Sequence, residues 1–249
     1  MENNMKFTEG YWLLSERTNG QFASQAYRIE AMENGLRVVA PTSPVLSRGD
    51  TLNRPTITIE FLAVSPEVIS VRAWHYEGYR TGEARFEKKE TTCDAVVTIT
   101  ENEAVLDAGR VSVHVDRKNW GYSFWADGKL LTSSGFRNIG YVRWDRSVSS
   151  MLPQDNYMKE HAYTPYMTQD LLLAPGENVY GFGERFTAFV KNGQVVETWN
   201  EDGGTASQVA YKNIPFYMTN RGYGVFVDHT GNVSFEVASE KVEYVGFSV

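Results

Sequence analysis

Residue types that can do chemistry are concentrated in ETWNEDGGT, residues 197–205. This stretch holds a tryptophan, an asparagine, the adjacent carboxylates Glu201 and Asp202, and a pair of glycines. Such a combination is compatible with a catalytic acid pair, a phosphate-binding loop, a metal site or a polar turn. Which of these applies depends on the rest of the chain.

The adjacency of Glu201 and Asp202 argues against a catalytic acid pair. In an extended chain neighbouring side chains point to opposite faces, whereas the two carboxyl groups of a glycosidase flank one bond at a separation of about 5 to 9 Å. A second carboxylate from elsewhere would be required. A polar turn that ends at Gly203 and Gly204 therefore remains an alternative on the pattern alone.

A second glycine-containing stretch, YGFGERF at residues 180–186, resembles part of a dinucleotide-binding fingerprint. It lacks the third glycine, and no helical pattern follows it, so a nucleotide site is not predicted. The pattern favours a strand in which Gly181 and Gly183 permit close approach of another backbone. Glu184 and Arg185 are expected to point to opposite sides of that strand.

The histidines show no arrangement typical of a metal site. His75, His114, His161 and His229 are dispersed, and the single cysteine, Cys93, lies near none of them in sequence. Metal ligation needs several such groups to converge, so neither a metal nor another cofactor is expected. His114 lies among valines and is predicted to be packed or hydrogen-bonded. No G-x-S-x-G nucleophile motif occurs.

Charge and cysteine content limit the partners and the compartment. The net charge is −7 and the pI is about 5.2, which disfavours binding to nucleic acid and to anionic membranes. One cysteine permits no intramolecular disulfide, and no apolar run approaches the length of a membrane span. A cytoplasmic location is the simplest expectation.

Period-two alternation of apolar and polar residues predicts β-strands with one buried face. It recurs in the segments 57–61, 111–115, 223–227 and 233–237, and in the last residues of the chain. Asp127-Gly128 indicates a tight hairpin between two such strands. These features predict an all-β protein, an antiparallel β-sandwich with few short helices.

Two segments depart from the strand pattern. Residues 206–212 could form one or two helical turns capped by Thr205. Residues 144–165 have the least regular pattern and are predicted to form a long surface loop.

The C-terminal third of the sequence resembles a known family. NVYGFGERFTAFVKNGQVVETWNEDGGT, residues 178–205, and AYKNIPFYMTNRGYGVFVDHTGNVSFEVASEKVEYVGFSV, residues 210–249, are similar to the N-terminal region of glycoside hydrolase family 31. The similarity is strongest to bacterial α-xylosidases. Upstream of residue 178 it thins to features such as EGYWLL.

This resemblance implies a fold, and it implies that the catalytic residues belong to a separate domain. The implied fold is a galactose-mutarotase-like supersandwich, followed in family members by a (β/α)8 barrel that carries both catalytic aspartates. The D-F-G-E run of the nucleophile does not occur in this sequence. Residues 1–249 are therefore expected to form a single N-terminal β-sandwich domain that has no catalytic residue of its own.

The resemblance also implies a role for the opening stretch. In the family, a loop of the N-terminal domain reaches the mouth of the barrel, and an aspartate in a W-N-x-D context contacts the sugar. That residue is Asp202 here, where a carboxylate can accept hydrogen bonds from two hydroxyls. Thr205 is a further candidate contact. Trp199 could face the sugar or hold the loop, and packing is favoured.

The implied partners are an α-xyloside or α-glucoside oligosaccharide in the full-length enzyme, the chain's own C-terminal barrel, and further copies in a homo-oligomer. A domain separated from its barrel should also expose an apolar face and self-associate. Two alternatives remain open. One is a stand-alone carbohydrate-binding module, and the other is a mutarotase that uses His161 or His229 with a carboxylate for proton transfer.

Overall fold

The computed structural model describes residues 6–10, 13–16, 18–52, 54–76, 86–87, 91, 93–145, 163–201 and 208–249. Within these ranges the chain forms eighteen strands, numbered here in chain order, and one short 3-10 helix, Arg48–Thr51. Each strand pairs with its neighbours in antiparallel fashion. The all-β prediction is confirmed.

The strands are arranged in four sheets. A four-stranded sheet contains β2 Arg28–Met32, β3 Gly35–Pro41, β4 Thr56–Ser65 and β5 Val68–Trp74. A five-stranded sheet contains β6 Val96–Ile99, β7 Glu103–Asp107, β8 Val111–Asp116, β9 Gly121–Ala126 and β10 Lys129–Ser134. A six-stranded sheet has the order β1 Thr18–Phe22, β11 Ile139–Asp145, β12 Tyr163–Leu172, β18 Tyr244–Ser248, β17 Ser234–Val237 and β14 Gln194–Glu197. A three-stranded sheet has the order β13 Val179–Gly183, β15 Asn213–Thr219 and β16 Gly224–Phe226.

The first core lies between the four-stranded and five-stranded sheets. Apolar residues at alternate positions of β3 and β4 point inward and pack against those of β7, β8 and β9, as in Leu36, Val38, Ile57, Ile59, Phe61, Leu106, Val113, Val115 and Tyr122. Burial of an aliphatic or aromatic side chain of this size contributes about 1.5 to 3 kcal/mol. The alternation that predicted strands at 57–61 and 111–115 therefore also selects the side chains of this core.

The second core lies between the three-stranded sheet and the β14–β17–β18 part of the six-stranded sheet. Phe182 and Tyr217 come from the smaller sheet, and Phe235 comes from β17. The Phe182 and Phe235 ring centroids are 4.7 Å apart, and those of Phe182 and Tyr217 are 5.8 Å apart. Ring pairs at such distances add specific contacts to area burial, so this core fixes β13 and β15 against β17.

The six-stranded and five-stranded sheets are joined through Gln169 on β12. Its side-chain amide donates to Ser134 Oγ at 2.7 Å and to the Asn138 carbonyl at 3.1 Å, while its oxygen accepts from the Tyr122 hydroxyl. Thr132 Oγ1 also donates to the Leu172 carbonyl at 2.8 Å. These bonds satisfy buried polar groups where the five-stranded and six-stranded sheets meet.

The predicted hairpin at Asp127-Gly128 is confirmed. It joins β9 to β10, and both residues have positive φ, 50° at Asp127 and 72° at Gly128. Two consecutive residues with positive φ are typical of a type I′ turn, whose twist matches that of the flanking strands.

The helix predicted at 206–212 is wrong over residues 208–212, which form bends and a single bridge. Ala210 makes a parallel bridge with Asn200, and its carbonyl accepts the Glu201 amide at 2.9 Å. The carbonyl is therefore engaged with a distant segment and does not form a helical bond. Residues 206 and 207 lie outside the described ranges.

The loop predicted at 144–165 is wrong at both ends. Trp144 and Asp145 complete β11, and Tyr163 to Pro165 begin β12, where Arg143 pairs with Pro165. Cross-strand pairing overrides the irregular sequence pattern at these ends. Residues 146–162 lie outside the part of the chain that the structure describes.

Across the described residues, no helix has the length and apolar character needed to cross a membrane.

Candidate functional site

The candidate site is the connection between β14 and β15, residues 198–212, of which 202–207 lie outside the described residues. The chain leaves β14 at Glu197, which pairs with Ser234 on β17. Thr198 is buried and extends this pairing, since its amide donates to the Val233 carbonyl at 2.9 Å and its hydroxyl at 3.1 Å. The connection thus starts from a fixed point on the six-stranded sheet.

Asn213, the first residue of β15, holds the two ends of the connection together. Its side-chain amide donates to the carbonyls of Trp199 at 2.8 Å and Ala210 at 2.6 Å. The Asn200 side-chain oxygen accepts from both the backbone N–H and the side-chain amide of Asn213, at 3.0 and 3.1 Å. One side chain therefore bonds residues before and after the 202–207 segment.

Arg185, just after β13, is a second side chain that bonds both ends of the connection. We call the hydrogen bonds of Asn213 and Arg185 to these two ends the clamp. The Arg185 guanidinium donates to the carbonyl of Glu197, to the carbonyl of Gln208 at 3.0 Å and to the side-chain oxygen of Asn213. A guanidinium suits this position because it offers five donors in a rigid plane. Burial lowers the pKa of Arg185, opposed by the negative charge of Glu197. The bonds to three acceptors compensate part of the cost of burying its charge.

Two glycines let β13 approach β15 closely enough for these contacts. At Gly183, with φ +88°, an added Cβ would lie 2.1 Å from the Lys212 carbonyl oxygen. At Gly181, with φ +116°, it would lie 2.8 Å from the Phe216 carbonyl oxygen. The prediction that these glycines permit close backbone approach is confirmed. Glu184 is exposed and pairs with Lys212 at 3.1 Å, while Arg185 turns inward.

Glu197 places a titratable group beneath the connection. Burial raises its pKa to about 7, opposed by a hydrogen bond from the Ser234 hydroxyl and by the charge of Arg185, and the nearby Glu236 raises it further. Its second carboxyl oxygen, Oε2, is buried without a hydrogen-bond partner. Desolvation of the charged form is the dominant cause, so this carboxyl changes charge near neutral pH.

The structure describes only part of the predicted site. Trp199 lies at the start of the connection with its side chain 51% exposed, and Glu201 is exposed beside it. Asp202 and Thr205 lie outside the described residues. What the structure does describe is the support on both sides of them, from Thr198 to Glu201 and from Gln208 to Asn213.

The remaining titratable groups offer no metal centre in the described ranges. No group of three or more His, Cys, Asp or Glu side chains that could hold a metal ion occurs there. His114 is hydrogen-bonded, as predicted: its Nδ1 lies 2.8 Å from Glu103 Oε1 and its Nε2 lies 3.1 Å from Ser112 Oγ.

Sequence reasoning missed Arg185 and Asn213 as residues that hold the connection. For Arg185, the motif YGFGERF predicts only that its side chain points to the side of the strand opposite to Glu184. Asn213 lies in an ordinary strand pattern that gives no signal of its role. Arg185 bonds backbone carbonyls 12 and 23 residues away, and Asn213 bonds one that is 14 residues away. No local pattern reports such contacts.

Comparison with known proteins gives the family. The sequence profile of the glycosyl hydrolase 31 N-terminal galactose mutarotase-like domain matches residues 57–236. The α-xylosidase XylQ of Lactiplantibacillus pentosus is 41% identical over 98% of this chain, and an α-xylosidase of Emericella nidulans is 36% identical over 98%. This chain spans 30% and 32% of the length of those relatives.

Solved structures share the fold. The cycloalternan-forming enzyme of Listeria monocytogenes, solved with a pentasaccharide substrate, superposes with a TM-score of 0.69 at 15% identity, covering 93% of this chain and 20% of that one. The fold and the sequence profile agree with the resemblance in residues 178–249. The chain belongs to the N-terminal galactose mutarotase-like domain family of glycosyl hydrolase 31.

Proposed function

We propose that this chain is the non-catalytic N-terminal β-sandwich domain of an α-xylosidase-type glycoside hydrolase. In the longer protein, a C-terminal (β/α)8 barrel supplies the nucleophile and the acid/base carboxyl groups for hydrolysis with retention. The relatives named α-xylosidases, at 41% and 36% identity, support the choice of substrate class. The substrate is an oligosaccharide with a terminal α-linked xylose, or glucose as the second choice.

The observation that carries this proposal is the clamp on both ends of the β14–β15 connection. Asn213 and Arg185 together bond to backbone carbonyls before residue 202 and after residue 207. A group that binds a sugar must be held in place before the ligand arrives, because ordering a free loop on binding costs affinity. Such a supported connection is suited to present Asp202 to a pocket in another domain.

Asp202 is the residue that we assign to the substrate, as an acceptor for two sugar hydroxyls. Thr205 contributes a second hydroxyl contact. Trp199 is half-exposed next to the bond between its carbonyl and Asn213. We assign it to packing at the start of the connection, with contact to the sugar as the alternative. None of the three is assigned a step in bond cleavage, so each acts on the binding of substrate and transition state.

The test is Asp202→Ala in the longer protein with an aryl α-xyloside as substrate. Loss of a charged hydrogen-bond acceptor should cost about 1.5 to 3 kcal/mol, which is a drop of about 10- to 150-fold in kcat/KM. Asp202→Asn should recover part of the loss, since the amide keeps one acceptor oxygen.

Glu201→Ala is the matched control, because Glu201 is an exposed neighbouring carboxylate. It should leave kcat/KM within about two-fold of the parent, as expected of a surface substitution. Equal kinetics for Asp202→Ala and the parent protein would return Asp202 to a role in the turn.

Two further expectations belong to this proposal. The protein is expected to form a homo-oligomer, which sedimentation of the longer protein tests. It is also expected to be cytoplasmic, since it has a single cysteine. Both are independent of the assignment of Asp202.

A further inference from the structure

The three-stranded sheet has two apolar faces, but only one of them is buried. On β15, Pro215, Tyr217 and Thr219 point inward and are buried, and Tyr217 is part of the second core. The alternate residues point to the opposite side. A strand buried on one face usually carries polar residues on the other, and β15 does not.

The outer face of this sheet is formed by apolar side chains from all three strands. Ile214 and Met218 on β15 are 53% and 51% exposed, and Phe216 lies between them. Phe226 on β16 pairs with Phe216, and Tyr180 on β13 pairs with Met218, so both point to the same side. We call these five residues the outer face.

Neighbouring rings extend the outer face beyond its strands. Phe189, 80% exposed, packs on Tyr180 with ring centroids 5.2 Å apart. Phe86 packs on Phe226 at 5.3 Å. Single exposed apolar residues are ordinary on a protein surface, but a contiguous exposed group of this kind marks an interaction site.

The outer face borders the β14–β15 connection. Its strand β15 begins at Asn213, which holds the connection, and Ile214 follows directly. Gly183 pairs with Asn213 at the same end of the sheet. Any domain that receives a side chain from the connection must therefore lie beside this end of the outer face.

We infer that the outer face is the surface on which the C-terminal catalytic domain of the longer protein docks. The inference rests on the proposed function, which places a pocket of that domain at the β14–β15 connection. The relatives extend well beyond this region, since the chain spans 30% and 32% of their length. A fixed contact next to the connection keeps the distance between Asp202 and the pocket constant.

The chemistry of the outer face favours a protein surface as its occupant. Ile214 and Met218 are aliphatic side chains on either side of Phe216. The neighbouring rings are tilted to each other, by 47° for Tyr180 and Phe189 and by 57° for Phe86 and Phe226. The buried core of a protein–protein interface is apolar and enriched in aromatic residues and methionine, which is the composition of this face.

Hydroxyl-radical footprinting read by mass spectrometry tests the inference, because it reports side-chain exposure at single residues. Met218 and Phe189 should be oxidised readily in the isolated 249-residue chain at low concentration. Both should lose most of this oxidation in the longer protein. Leu46, 90% exposed and distant from the three-stranded sheet in sequence, should react equally in both proteins.

Met218→Lys and the matched control Val68→Lys provide the second measurement. Val68 is 49% exposed on β5 of a different sheet, so both variants of the isolated chain should unfold at the parent temperature. In the longer protein, Met218→Lys should restore oxidation of Phe189, and Val68→Lys should not.

Two outcomes would overturn the inference. One is equal oxidation of Met218 in the isolated chain and the longer protein. The other is protection that disappears on dilution, which assigns the face to a second copy. Footprinting requires no turnover, so it separates this inference from the proposed function. Protection of Met218 alongside full activity of Asp202→Ala would reject the role of Asp202 and retain the docking surface.

Discussion

Asn200 and Asn213 join the two ends of the β14–β15 connection through a shared oxygen. The Asn200 side-chain oxygen accepts the backbone N–H of Asn213 at 3.0 Å and its side-chain amide at 3.1 Å. A backbone bridge between Asn200 and Ala210 lies beside this pair. The ends of the connection are therefore held by side-chain and backbone bonds together, and these bonds can be removed one at a time.

Asn213→Asp tests the clamp, because it removes the two side-chain N–H donors, which reach three acceptors, and retains the oxygen that accepts from Arg185. Unsatisfied acceptors should lower the free energy of unfolding by about 1 to 3 kcal/mol, measured in urea. Hydrogen exchange of the Glu201 amide, which donates to Ala210, should become faster.

Asn220→Asp is the control for that substitution. The Asn220 amide donates one exposed bond, to the Gly176 carbonyl at 3.2 Å. It should cost less than about 1 kcal/mol and leave the exchange of Glu201 unchanged. If Asn213→Asp behaves like Asn220→Asp, the clamp does not depend on the Asn213 amide.

The stability of the domain should fall as pH rises through neutrality. The folded-state pKa of Glu197 is about 7 against an ordinary 4.5, with burial as the main cause, so the folded protein binds this proton more tightly than the unfolded chain. Its contribution is fully present below about pH 4.5 and is lost as pH rises through about 7. After allowance for solvent access to the carboxyl, the loss should be about 1 to 2 kcal/mol.

Glu197→Gln should reduce this pH dependence, measured by urea unfolding at several pH values between 5 and 8. Glu236 contributes in the same direction, because burial also raises its pKa. Glu236→Gln should therefore remove a further part of the slope. An unchanged slope in Glu197→Gln would show that this carboxyl is not the group that titrates.

Gly183→Ala should destabilise the domain strongly. The new Cβ would lie 2.1 Å from the Lys212 carbonyl oxygen and 2.9 Å from the Ile214 nitrogen, and φ is +88°. We expect a loss of about 3 kcal/mol or more in the free energy of unfolding, since β13 must move from β15.

Gly193→Ala separates the close contact from the backbone conformation. Gly193 has a similar φ of +83°, but nothing lies within 4 Å of the position of an added Cβ. It should cost only the strain of that conformation, about 1 to 2 kcal/mol. Equal losses at the two positions would mean that the close approach of β13 and β15 is unimportant.

The isolated 249-residue chain should neither hydrolyse an aryl α-xyloside nor bind xyloglucan oligosaccharides tightly. The proposed catalytic groups and half of the pocket belong to another domain. Enzyme assay and calorimetry measure the two properties, and polarimetry measures mutarotation, for which no activity is expected. Tight binding by the isolated chain would favour a carbohydrate-binding module, and mutarotation would favour a sugar epimerase.

The resemblance carried by residues 178–249 and the alternation of apolar residues together determined the family and the all-β class. Alternation at Ile57, Ile59 and Phe61 reports burial directly, because one side of a strand faces the core. The glycines of YGFGERF also reported a close backbone approach. These are local properties, since strand periodicity and glycine conformation depend on residues that are adjacent in the chain.

Only the tertiary structure decided how the candidate site is held. Arg185 bonds the carbonyl of Glu197, on a strand of another sheet, and that of Gln208, and Asn213 joins residues that precede and follow the 202–207 segment. The same non-local bonding replaced the predicted helix at residues 208–212 with a bridge to Asn200. Hydrogen bonds between segments distant in sequence leave no period or motif, so the fold must bring the partners together before their roles can be recognised.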